Sequence, residues 1–126
     1  MHGSDVLTAW EPGPEVLRAG ELEIRPGEHL ARARGRAMLL SMRELDLLAA
    51  LARREGRIVP REELYRIVWG GSLRTQDRSV DVYVHKLRAK LEQALPGWSY
   101  IHTHVGFGYR LQPERSHDFH DTVTGR

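Results

Sequence analysis

The spacing of apolar positions changes twice along this chain, and the changes divide it into three parts. Between residues 16 and 40 the apolar positions come in short runs, several at period two: Val16-Leu17-Arg18, then Leu22 and Ile24 alternating with Glu21, Glu23 and Arg25, then the turn residues Pro26-Gly27. Two more short segments, 29–34 and 37–40, are separated by Gly35. Alternation of this kind predicts strands. Strands so close together, with no helix between them, can only be joined antiparallel, so the first part reads as a meander.

At Ser41 the period lengthens to that of a helix. Ser41-Met42-Arg43-Glu44 has the form of a capping box, in which serine and glutamate satisfy each other's backbone donors. Leu45, Leu48, Ala49 and Ala52 lie on one face of the predicted helix, and Leu47 and Leu51 widen it, so it should be covered on more than one side before Gly56 ends it. Ile58-Val59 reads as no more than an extended link. Pro60 can open a second helix, where its missing N–H costs nothing. That helix is predicted over 61–68, apolar at Leu64, Ile67 and Val68 and stopped by Gly70-Gly71. Asp77 is the expected cap of a third helix reaching about Leu95, ahead of Pro96-Gly97. Residues 100–104 and 107–111 then flank Val105-Gly106 as a hairpin with glycine in its turn.

The third helix carries the sharpest pattern. At about 100° per residue, Val84, Leu87 and Leu91 fall close to Val80, a stripe that must be buried. The opposite side holds Arg78, Val82, His85, Lys86 and Ala89, flanked by Ser79, Arg88 and Lys90. From Arg74 to Lys90 there are five cations against two acids, a local excess of +3 in a chain whose total is +2. A basic face with small or apolar residues between its cations suits the major groove of DNA, because cations reach phosphates and guanine edges while Val82 or Ala89 can meet thymine methyls. Taken alone, such a face is equally compatible with plain solvation.

Composition removes several competing classes. The 126 residues, 40% hydrophobic and 29% charged, fit one globular domain able to bury a core without metal or disulfide. No cysteine is present, which excludes disulfide frameworks, zinc ribbons and thiol nucleophiles. The longest apolar run, from Leu47 to Ala52, is far below the roughly 20 residues of a membrane span. Met1-His2-Gly3-Ser4-Asp5 begins no secretory signal, so a cytoplasmic location is expected. No nucleophile elbow or placed carboxylate pair is visible, so an enzyme is not expected. His102 and His104 share a strand face, with His117 and His120 further on, but without carboxylates fixed nearby they read as surface residues, and no metal or cofactor is expected. Gly106-Phe107-Gly108 lacks the third glycine and the helix of a dinucleotide loop.

Four segments in order carry a resemblance. They are Leu40-Ser41-Met42-Arg43-Glu44-Leu45-Asp46-Leu47-Leu48; Gly56-Arg57-Ile58-Val59-Pro60-Arg61-Glu62-Glu63-Leu64 with Val68-Trp69-Gly70; Asp77-Arg78-Ser79-Val80-Asp81-Val82-Tyr83-Val84-His85-Lys86-Leu87-Arg88; and Gly106-Phe107-Gly108-Tyr109-Arg110. Over about ninety residues, 22–111, the chain resembles the C-terminal effector domain of OmpR/PhoB-type response regulators. The resemblance implies an α+β winged helix-turn-helix: a four-stranded N-terminal antiparallel sheet, three helices with the third for recognition, and a C-terminal hairpin wing reaching the adjacent minor groove. It implies sequence-specific binding of double-stranded DNA, with Ser79, Val82 and Lys86 nearest the bases. Trp69, Arg78, Tyr83, His85, Arg88, Thr103 and Tyr109 would contact the DNA backbone.

The same resemblance implies two copies pairing on direct-repeat half-sites, monomeric in solution, and a loop 70–76, opening on Gly70 and ending on Gln76, that meets RNA polymerase in several members. The wing position that is often arginine in the family is Val105 here, with His104 adjacent. The domain is expected over 16–112, after a linker or expression remnant at 1–15 and before a flexible tail at 113–126. No receiver segment is recognisable, so the chain reads as an excised fragment or a stand-alone regulator. The rival reading is a winged-helix module that binds protein and not DNA.

Overall fold

The alternating first part forms a sheet of four antiparallel strands in chain order: β1 (Leu17–Ala19), β2 (Leu22–Arg25), β3 (Leu30–Ala33) and β4 (Arg36–Ala37). Leu22 and Ile24 of β2 pair with Ala33 and Ala31 of β3, and all four are buried. Glu23, on the opposite face, holds Arg25 and Arg32. The fourth strand is shorter than the expected 37–40, because Leu39 turns out into solvent. This computed structural model describes residues 14–116, and the expectations for residues 1–13 and 117–126 lie outside that range.

Helix α1 (Met42–Ala52) opens on the capping box read from the sequence: the Glu44 N–H donates to Ser41 Oγ at 3.2 Å, and the Ser41 N–H donates to Glu44 Oε1 at 2.8 Å. Leu47, Leu48, Ala50 and Leu51 are fully enclosed, because α1 packs against β1, both later helices and the C-terminal sheet. Each buried leucine contributes about 1.5–3 kcal/mol. Helix α2 (Arg61–Val68) has the predicted bounds, with Pro60 at its start. Helix α3 (Ser79–Ala94) buries Val80, Val84, Leu87 and Leu91, the stripe its periodicity required.

Two differences from the sequence reading lie in the second sheet, whose order is β5-β7-β6, from β5 (Ile58–Val59), β6 (Trp98–His104) and β7 (Gly108–Arg115). The segment read as a link is a strand. Ile58 and Val59 pair with Arg110 and Tyr109 across about fifty residues of chain, which no local pattern announces. The hairpin is also longer, and β7 runs through Pro113 to Arg115, past the boundary expected at 112, although 112–115 lack apolar alternation. The two sheets are joined where the Glu21 N–H donates to the Tyr100 hydroxyl at 2.9 Å. Three helices between an N-terminal sheet and a C-terminal hairpin make the fold a winged helix-turn-helix.

Candidate nucleic-acid interface

Helix α3 begins differently from the expectation. Arg78 occupies the capping position without a side-chain cap bond; Asp77, one residue earlier, accepts from the Ser79 N–H at 2.8 Å and from Ser79 Oγ at 2.6 Å. Those two bonds hold the Asp77 carboxyl below the usual carboxylate range. They also use the Ser79 hydroxyl proton, so towards a ligand Ser79 offers its lone pairs alone. Beyond it, Val82, His85, Lys86 and Ala89 stand exposed along one side of the helix, and Arg78 is exposed at its start. Lys86 Nζ lies 4.8 Å from the centre of the Tyr83 ring. Tyr83 is half-buried and meets Trp69 edge-on at 5.4 Å; Trp69 in turn stacks on Tyr65 at 5.3 Å. Arg43 sits over the Trp69 ring and donates to the Val68 carbonyl at 2.6 Å, closing the end of α2.

Arg88 faces the wing. Its guanidinium donates to the Ile101 carbonyl at 3.1 Å and to Thr103 Oγ1 at 2.5 Å, so two of the sequence-predicted residues are bonded to each other. Three N–H donors of the five on that guanidinium remain. Lys90 does not belong to the open face: its ammonium donates to the Leu39 carbonyl at 2.9 Å and to the buried Glu44 at 2.7 Å. Burial would raise the Glu44 carboxyl, but Lys90 and the Ser41 N–H outweigh it and hold it below the usual range.

Tyr109, for which the resemblance implies a DNA-backbone contact, lies low in the groove beside Arg78. It is buried, and its hydroxyl donates to Asp81 Oδ1. Asp81 also accepts from Arg61 Nε at 3.1 Å and Nη2 at 2.9 Å, with Arg78 at 3.6 Å. This cluster joins α2, α3 and the wing, and the sequence reading missed Arg61 and Asp81. The one available signal was an acid inside an otherwise cationic stretch. Burial would raise Asp81, but the Tyr109 hydroxyl and Arg61 outweigh it and lower it.

Burial, and then the hydrogen bond to Asp81, push Tyr109 from 10.0 up to about 12. A group raised in the folded state stabilises fully below its unfolded value and loses that contribution as the pH climbs through the folded one. Wild-type stability in urea should therefore fall between about pH 10 and 12 more steeply than that of Tyr109→Phe. Parallel curves for the two proteins would exclude the linkage.

In the wing, the His104 carbonyl accepts from the Phe107 N–H at 2.8 Å, and Gly106 has φ +82°. The turn therefore places its positive φ on glycine, as a type II turn requires. His104 Nε2 accepts from Arg110 Nε at 3.0 Å, and His102 Nε2 lies 2.7 Å from the Gln112 carbonyl. Among the described residues no helix is long and apolar enough to cross a membrane.

The family model for the C-terminal region of transcriptional regulatory proteins matches residues 35–111. The chain belongs to that family. The Sensory transduction protein RegX3 of Mycolicibacterium smegmatis is 33% identical over 97 residues, 77% of this chain and 42% of that protein. The Transcriptional regulatory protein TcrA of Mycobacterium tuberculosis is 35% identical over 103 residues, 82% and 40% of the respective chains. The chain thus spans about two-fifths of the length of these curated relatives. Among solved structures, the DNA-binding domain of CpxR from E. coli superposes with a TM-score of 0.72 at 32% identity, covering 78% of this chain and 96% of that one. The Klebsiella pneumoniae RstA DNA-binding domain, in complex with the RstA box, gives 0.71 at 31% identity, with coverages of 79% and 99%. The effector-domain resemblance and the winged fold both hold.

Proposed function

We propose that this chain binds double-stranded DNA in a sequence-specific manner as the effector part of a bacterial transcriptional regulator of the two-component type, with α3 in the major groove. The observation that carries the reading is the split of α3, whose valines and leucines are enclosed while Val82, His85, Lys86 and Ala89 stand clear beside Arg78. The RstA domain, alike in fold and captured on its own DNA box, supports it.

Lys86 reads a base edge, with Val82 and the Ser79 oxygen beside it. Arg78, Tyr83, His85, Trp69 and the Arg88–Thr103 pair take phosphates, so positioning and specification are separate tasks. Tyr109 anchors the wing at the DNA backbone while its hydroxyl steadies Asp81. Two copies, free as monomers, pair on direct-repeat half-sites in the cytoplasm, at the bacterial nucleoid. The loop 70–76, exposed apart from a half-buried Leu73, offers RNA polymerase a surface. No catalysis is assigned to the chain.

Titration against random duplex at rising salt tests the reading. Log affinity should fall linearly with log salt, with a slope of about −0.9 per phosphate neutralised. Arg78→Ala should weaken all duplexes alike and flatten that slope by about one, whereas Lys86→Ala should cost about 1–3 kcal/mol at one base position only. No measurable duplex binding would give the site to a protein partner. Equal losses for both variants on specific and random DNA would refute the division of roles.

A further inference from the structure

Among the described residues, the arginines that hydrogen-bond to the rest of the fold also meet a carboxylate, as Arg25, Arg53, Arg54, Arg61 and Arg110 do. Arg43 and Arg88 are the exceptions. Each is fixed by a backbone carbonyl and an aromatic face. Arg43 donates to the Val68 carbonyl at 2.6 Å, with its guanidinium carbon 5.5 Å from the centre of the Trp69 ring. Arg88 donates to the Ile101 carbonyl at 3.1 Å, 5.8 Å from the centre of the Tyr109 ring. A carbonyl and a ring orient a guanidinium without cancelling its charge, so both side chains are pre-organised cations.

The two stand on opposite flanks of α3. At about 100° per residue, Tyr83 and Lys90 fall roughly 60° and 80° to one side of Val80, and Arg88 roughly 80° to the other. Arg43 belongs to the Tyr83 flank, because Trp69, the ring it covers, meets Tyr83 edge-on at 5.4 Å. A helix about 10–12 Å across fills a major groove about 12 Å wide, so its two flanks face two phosphate strands. Arg88 serves one of them. On the other flank Lys90 is tied to Glu44 and the Leu39 carbonyl, Lys86 is given to a base edge, and Tyr83 and Trp69 offer neutral donors only. Helix α1 brings the cation that α3 lacks there. Arg43 is exposed, and four of its five N–H donors remain after the bond to Val68.

We infer that Arg43 is a phosphate contact carried by α1, on the wall of the major groove opposite the one held by Arg88. This rests on the DNA-binding reading and extends the interface to a helix whose other described work is packing. Its planar fork can take two oxygens of one phosphate, and a helix held at both walls cannot pivot about either.

The test uses the full chain, a random duplex and the duplex it selects from a random pool. Arg43→Ala should weaken binding to both by the same factor, roughly eightfold at about 0.1 M salt, and flatten the slope of log affinity against log salt by about one. Because Arg43 also closes the end of α2, the alanine variant should melt lower. Arg43→Lys separates the two roles: it keeps the charge, so its salt slope should stay near that of wild type whatever its Tm. Single phosphates of the selected duplex are then replaced by neutral methylphosphonates. At one position wild type should lose affinity and Arg43→Ala lose none, while Arg88→Ala should fall silent at a different phosphate on the other strand of the groove.

An unchanged salt slope in Arg43→Ala, or a methylphosphonate pattern equal to that of wild type, overturns the contact and leaves Arg43 as the closure of α2 alone. Equal loss of slope in the alanine and lysine variants overturns it too, since a disturbed fold would then carry the effect. Failure of wild type to bind any duplex sinks the DNA reading itself, a result distinct from either.

Discussion

Replacing Gly108 with alanine should lower the Tm by more than about 12 °C and loosen the wing. A Cβ there would stand 2.1 Å from the Val59 carbonyl oxygen, 2.7 Å from its carbon and 2.9 Å from Pro60 Cα. All three are backbone atoms, so no side chain can swing aside. The residue also has φ +148°, a conformation L-residues rarely adopt. Strain and overlap together cost about 3 kcal/mol or more, and each kcal/mol shifts Tm by about 4–8 °C in a domain of 60–100 residues. The damage falls on the pairing of β5 with β7, which holds Tyr109 under α3. Calorimetry measures it, and a shift below about 4 °C would mean that β5 yields without cost.

Asp81→Ala is expected to separate specific from non-specific binding. The substitution strips partners from the Tyr109 hydroxyl and from Arg61, whose side chain is 33% exposed. Solvent screens this half-open pair, so the stability loss should be about 2 kcal/mol in place of the 3–5 of a fully buried one. Because the folded carboxyl lies below 3.8, its contribution is present above that pH and vanishes as the pH falls through the folded value. Charge and geometry predict opposite effects on DNA. Removing an anion beside Arg78 should strengthen attachment to random duplex, while α3 and the wing, no longer held in register, should lose affinity for the selected site. Asp81→Asn, which keeps an acceptor, should fall between the two. Urea melts and paired titrations decide it: a gain on both duplexes would show that Asp81 contributes charge alone.

What the sequence disclosed follows from the range over which each signal acts. The Ser41–Glu44 box, the Pro60 start and the Val80, Val84, Leu87, Leu91 stripe are contained within single elements, and each stands in the structure as read. The strand Ile58–Val59 is too short to show a period, and its partner lies in β7. Asp81 meets Tyr109 at a separation of 28 residues, and Lys90 meets Glu44 at 46, distances over which composition and periodicity are silent. Lys90 therefore looked like a flank of the open face, and nothing in the sequence tied Tyr109 to Asp81.

Helix α3 is tied at three heights to three other parts of the molecule: Asp81 to Arg61, Arg88 to the Ile101 carbonyl and Thr103, and Lys90 to Glu44. Three separated anchors leave a rod no freedom to roll, slide or tip. None of them uses Val82, His85, Lys86 or Ala89, so these four positions behave as interchangeable type in a rigid frame. On the proposed division of roles, base preference can then change at Val82 and Lys86 without asking the scaffold to change.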